Sequence, residues 1–119
     1  MKQKTEEIQM AGTLLTKENF NREIEESKIT VVDFWAPWCG YCIRIAPSVD
    51  QIAETYQDDI KVGKINIDDE PDLAEQFDVM TIPTLIAFQN GKAVGEPLVA
   101  PTAKSQIVGW MQELGITGE

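Results

Sequence analysis

From Ile29 to Trp35 the chain reads Ile-Thr-Val-Val-Asp-Phe-Trp, a β-branched and aromatic run with too little alternation for one face to meet water. It predicts a central strand buried on both sides. Downstream, Ile45, Ala46, Val49, Ile52, Ala53 and Tyr56 recur at a helical period, which predicts a helix over 40–57 that holds Pro47 and is kinked there. A second strand is expected at Ile60–Ile67, and two strands joined by a long crossover imply a right-handed parallel pair. Upstream, Phe20 and Ile24 share one face of a helix expected over 17–27, with Thr16 as its cap.

Pro71 suits the first position of a short helix carrying Leu73, Ala74 and Phe77. Thr84–Phe88 then reads as a strand, Asn90-Gly91 supplies the positive backbone angles of a tight turn, and Lys92–Val99 returns antiparallel. Ile107, Trp110, Met111 and Leu114 stand at i, i+3, i+4 and i+7, the apolar stripe of a last helix. The pattern is therefore α/β: a βαβ unit followed by a β-hairpin and a C-terminal helix.

With 119 residues and 43% hydrophobic content, the chain can fill one core, expected over 12–119, behind a polar tail at 1–11. The opening carries Glu6 and Glu7 where a secretory signal needs an apolar stretch. No run approaches the ~18 apolar residues of a membrane-spanning helix. A cytoplasmic location with no membrane partner is expected. Ten basic against 20 acidic residues give a net charge of −10, the wrong sign for nucleic acid.

Histidine is absent, which excludes Ser-His and Cys-His catalysis and His-ligated metals. The two cysteines, Cys39 and Cys42, lie too close in sequence to brace the fold by closing a long loop. They fall where the buried strand gives way to a helix. At a helix N-terminus the free N–H groups and the positive end of the dipole favour the thiolate of Cys39, and Cys42 one turn on is within reach of a disulfide. Only a thiolate attacks disulfides, so the placement activates a nucleophile. Other readings of the pair are a metal site, an iron–sulfur cluster shared between two chains, and inert core cysteines. Mononuclear zinc wants four ligands, and two are present per chain.

Asp33 lies inside the apolar run, where a carboxylate is costly unless paired or neutral. Burial should push its titration toward neutrality.

Val32-Asp33-Phe34-Trp35-Ala36-Pro37-Trp38-Cys39-Gly40-Tyr41-Cys42 resembles the active-site segment of thioredoxins. Lys64-Ile65-Asn66-Ile67-Asp68, Thr81-Ile82-Pro83-Thr84 and Phe88-Gln89-Asn90-Gly91 follow in the family's order and spacing. The likeness spans about residues 12–115. It implies a thioredoxin fold, a central mixed sheet flanked by helices, with Pro83 in a cis peptide bond facing the disulfide; a trans proline that merely starts a strand is the other reading. It implies that Asp33 takes and gives the proton of the buried cysteine and that Lys64 matches the lysine near it; a purely structural Asp33–Lys64 pair is the other reading. Trp38, Gly40, Tyr41, Ile82 and Pro83 become the expected substrate contacts.

Two residues depart from the family pattern. Thioredoxins most often have proline where Tyr41 stands, and its N–H is expected to donate to the Cys39 sulfur and make the protein more oxidising. Ala100 stands where the family often has glycine. The function expected is protein dithiol–disulfide exchange by a monomer. No cofactor is expected beyond the Cys39–Cys42 disulfide, and the partners are disulfide-containing proteins and a thioredoxin-reductase-like electron donor. The alternative is a binding or assembly module, or a metal or cluster carrier, on the same fold.

Overall fold

The computed structural model describes residues 12–116; the tail expected at 1–11 lies outside them. Nine elements follow in order: β1 (Thr13–Leu14), α1 (Phe20–Glu26), β2 (Ile29–Trp35), α2 (Gly40–Thr55), β3 (Lys61–Asn66), α3 (Pro71–Gln76), β4 (Thr84–Gln89), β5 (Lys92–Val99) and α4 (Lys104–Glu113). The strands form one sheet in the order β1-β3-β2-β4-β5. β1, β3 and β2 run parallel, whereas β4 pairs antiparallel with β2 and with β5. The expected mixed sheet is present, with the Ile29–Trp35 run at its centre.

Side chains alternate across the sheet. Val31 and Val62 face Ile45, Val49 and Ile52 of α2 and Ile107, Trp110 and Met111 of α4. Val32, Phe34, Ile65 and Phe88 face Phe20 and Ile24 of α1 and Leu73 of α3. On that second side Phe20, Phe77 and Phe88 pack with ring centroids 5.3–5.6 Å apart, a separation at which aromatic pairs gain beyond their area. Three layers result, and β2 is sealed by both helical layers, which is why its sequence scarcely alternates.

Two expectations are adjusted at their edges. The Thr16 hydroxyl does accept from the Asn19 N–H at 3.3 Å, but Asn19 Oδ1 takes the Thr16 N–H at 2.7 Å. This reciprocal pair locks residues 16–19 as a turn, and regular helix begins only at Phe20. The two-residue strand β1 is too short for a sequence pattern to announce it; it pairs parallel with β3, and Leu15 just after it packs over Gly63, where a side-chain carbon would collide with it. The hairpin is as read: Asn90 and Gly91 have φ of 52° and 85°, the left-handed geometry of a two-residue turn. β5 is the exposed edge, with Pro97 on it, a residue tolerated where no further strand must pair.

Candidate active site

β2 ends at Trp35, and Ala36-Pro37-Trp38 turns the chain into α2, whose N-cap is Cys39. Cys39 and Cys42 are joined in a disulfide with their Cα atoms 5.2 Å apart. The Cys39 sulfur accepts the Cys42 N–H at 3.1 Å and lies 3.8 Å from the Ile82 carbonyl oxygen. Cys39 keeps 7% of its surface in solvent and Cys42 2%, so Cys39 is the less buried of two buried residues.

The backbone donor to Cys39 corrects the expectation for Tyr41. An N-cap side chain accepts from the second or third helical residue, and the bond to Cys42 draws the sulfur toward the third. Tyr41 supplies no such bond, so an oxidising shift caused by its N–H has no support here. The Tyr41 ring points outward instead, with the Arg44 guanidinium 4.7 Å above its centroid.

Ile82–Pro83 is a cis peptide bond, and it lies just before β4, outside the strand ladder. The Pro83 carbonyl accepts the Ala100 N–H at 2.8 Å, which ties the end of β5 to the segment facing the disulfide. Ala100 holds φ at 53°, a conformation in which glycine is unstrained and alanine is not; that explains why glycine suits the position. Gly40 has a different character. A side-chain carbon built there meets nothing within 4 Å, so the fold does not require glycine, and its bareness leaves the surface beside Cys39 open.

Trp38 is 66% exposed, yet its indole N–H donates to both oxygens of Asp68, at 2.9 and 3.2 Å. Asp68 in turn follows Asn66, whose side-chain oxygen accepts the Asp68 N–H at 2.9 Å. The tryptophan is therefore a fixed ledge. Tyr41, two residues past Cys39 in the first turn of α2, is exposed as well, so apolar side chains flank the cysteine in sequence on both sides.

Asp33 is 2% exposed, and its Oδ1 has no hydrogen-bond partner among the described residues. Alternation puts it on the α2 side of the sheet, between Val31, which packs under Ile45, and Trp35, which packs against Cys39 and Cys42. Burial pushes its carboxyl up to about 7; the Lys64 charge works against that rise and the Asp50 charge adds to it. Lys64 is the register partner of Asp33 on β3, but its ammonium pairs with Asp50 Oδ1 at 2.7 Å. The structural Asp33–Lys64 pair is therefore not formed. Asp50 and Asp68 are the two site residues that the sequence reading missed. A lysine inside the β3 run needed a counter-charge, and that need was the only signal in the sequence; it did not say which carboxylate would meet it.

Among the described residues no cluster of three or more His, Cys, Asp or Glu could hold a metal ion, and no helix is long and apolar enough to cross a membrane.

The thioredoxin family pattern matches residues 12–113. Thioredoxin 1 of Synechococcus elongatus is 49% identical over 81 residues, which cover 67% of this chain and 76% of that one. Thioredoxin of Alicyclobacillus acidocaldarius is 42% identical over 97 residues, 82% of this chain and 91% of its own. Among solved structures, a chain from work on the thiol resolving mechanism in yeast mitochondrial 1-Cys peroxiredoxin via glutathione/thioredoxin systems superposes with a TM-score of 0.77. It is 25% identical, over 87% of this chain and 95% of that one. Together with a cysteine pair set at the start of α2 over a buried carboxyl, these matches show that the chain belongs to the thioredoxin family of dithiol–disulfide oxidoreductases.

Proposed function

We propose that the chain reduces disulfides in protein substrates, with Cys39 attacking, Cys42 resolving and Asp33 carrying the proton. The observation that carries this reading is the asymmetry of the pair: Cys39 is the N-cap of α2 and keeps 7% of its surface in solvent, whereas Cys42 lies one turn inside the helix and keeps 2%. The helix N-terminus and the Cys42 N–H favour Cys39 as thiolate.

The steps balance as follows. The Cys39 thiolate attacks one sulfur of the substrate disulfide, forming a mixed disulfide and expelling the other sulfur as a thiolate. Ionised Asp33 takes the Cys42 proton. The Cys42 thiolate then attacks the Cys39 sulfur, closing the Cys39–Cys42 bond and releasing the second substrate thiolate. Two electrons have passed from the dithiol to the substrate. A carboxyl that titrates near neutrality can both take and return that proton, which is what the unpaired burial of Asp33 supplies. A reductase-type electron donor must reopen the bridge in the reverse sense.

The rim of Trp38, Tyr41 and the bare Gly40 is the surface for the substrate, and an extended substrate segment can pair with the backbone at Ile82, where Pro83 shapes the groove. The working form is a monomer with no bound cofactor. Two cysteines, both committed to one exchangeable pair, fit a reducing compartment such as the cytoplasm.

An insulin-reduction turbidity assay with a chemical dithiol tests the reading. Catalytic turnover by the parent protein is expected, and a module that uses the fold only for binding would give no rate above the dithiol alone.

A further inference from the structure

Lys64 and Asp33 occupy the same register position on adjacent parallel strands, on the face covered by α2. A buried ammonium beside a buried carboxyl would ordinarily close into an ion pair, because neither group is solvated there. Here it does not. Lys64, 5% exposed, spends its charge on Asp50 Oδ1 at 2.7 Å, and the half-exposed edge of α2 keeps Asp50 in touch with water. Asp33 Oδ1 is left without a partner.

We propose that Asp50 is a positioning residue for the exchange reaction: it holds the Lys64 ammonium toward α2 and compensates its charge, so that Asp33 stays free to take and give the Cys42 proton. The inference rests on the proton-carrying part assigned to Asp33 above and adds the group that sets it.

The surroundings of Asp33 leave few other charges to do this. On α2 the groups facing it are Asp50 and the cysteine pair, which does not titrate as a disulfide. On β3 there is Lys64. Across β4 its register partner is Leu85, and α4 presents Ile107, Trp110 and Met111 to this layer. The charged residues of α4 lie elsewhere: Lys104 bonds Gln51 at 3.2 Å and Glu113 is exposed. Lys64 and Asp50 are the two charges that act on the Asp33 carboxyl, in opposite senses. Removing the Asp50 charge both withdraws a repulsion and unmasks the Lys64 attraction, so the two consequences add.

The experiment follows the Asp33 carboxyl carbon by NMR through a pH titration of the oxidised protein, in the parent and in Asp50→Asn, Asp50→Ala and Asp50→Glu. Asp50→Asn keeps an acceptor for Lys64 without the charge, and its Asp33 midpoint is expected to fall by about one pH unit, a roughly ten-fold change in ionisation constant, the lower end of what a nearby opposite charge does. Asp50→Ala also frees the ammonium and lowers the midpoint further, while Asp50→Glu restores it toward the parent. The pH profile of the insulin-reduction rate moves in the same order. If either folded charge-removing variant titrates at the parent midpoint or above, Asp50 does not set Asp33. Because the titration is read on the oxidised protein without turnover, it decides the Asp50 claim separately from the claim that Asp33 carries a catalytic proton.

Discussion

Asp33→Asn is expected to make the protein more stable at about pH 8 by ~1–3 kcal/mol while slowing its turnover. The stability part follows from the direction of the Asp33 shift. Its carboxyl rises from 3.8 to about 7 in the fold, so between those values the folded chain holds a proton that the unfolded chain has released. Stability from this group is full below about pH 4 and is lost as pH climbs through about 7. At about 1.4 kcal/mol per unit, the loss is on the order of 4 kcal/mol. An amide never ionises, so the variant escapes that loss but keeps an incompletely bonded polar group, which reduces the gain to the smaller figure. Denaturant unfolding across about pH 5 to 8 should show the parent weakening and the variant nearly level, with the two curves converging at the acid end. Turnover should fall about a hundred-fold near neutral pH, the lower end of what a positioned base contributes. The deficit should shrink at alkaline pH as Cys42 ionises unaided. A variant that is less stable than the parent at every pH, with unchanged kinetics, would make Asp33 a structural group.

Cys39→Ser is expected to have the largest effect on activity, a loss of about a thousand-fold or more in insulin reduction, because a neutral hydroxyl does not attack a disulfide. Cys42→Ser should also abolish turnover, but by a different route. Its Cys39 still attacks, and without a resolving thiol the mixed disulfide accumulates. Non-reducing gels of the two variants with a disulfide substrate distinguish them: an adduct is expected for Cys42→Ser and none for Cys39→Ser. Adducts formed mainly by Cys39→Ser would exchange the two roles.

Much of this was legible in the chain. The Ile29–Trp35 run announced a strand covered on both sides, since a strand buried in this way has no reason to alternate. The period from Cys42 to Tyr56 announced α2, although the helix runs unbroken from Gly40 to Thr55 through Pro47. Asn90-Gly91 announced the hairpin because few residues other than asparagine and glycine adopt its backbone angles readily. Asp33 stood out because a carboxylate among valines and aromatics needs a reason.

The partners of polar groups were not legible. Which carboxylate Lys64 chooses depends on how α2 lies across β3, a tertiary fact with no local pattern. The Trp38–Asp68 bond joins residues 30 apart through the convergence of two loops. Tyr41 shows the same limit within a single helical turn. Two N–H groups of the first turn were candidates for the Cys39 sulfur, and the one that bonds it is that of Cys42.

The central claim is that Cys39 at the start of α2 is the attacking thiolate and Cys42 is the protected, resolving thiol. Brief alkylation of the fully reduced protein with iodoacetamide at about pH 7, followed by peptide mass mapping over time, tests it most directly. The account predicts label on Cys39 first, with Cys42 modified only slowly or after unfolding. Equal rates at the two positions, or faster modification of Cys42, would contradict it.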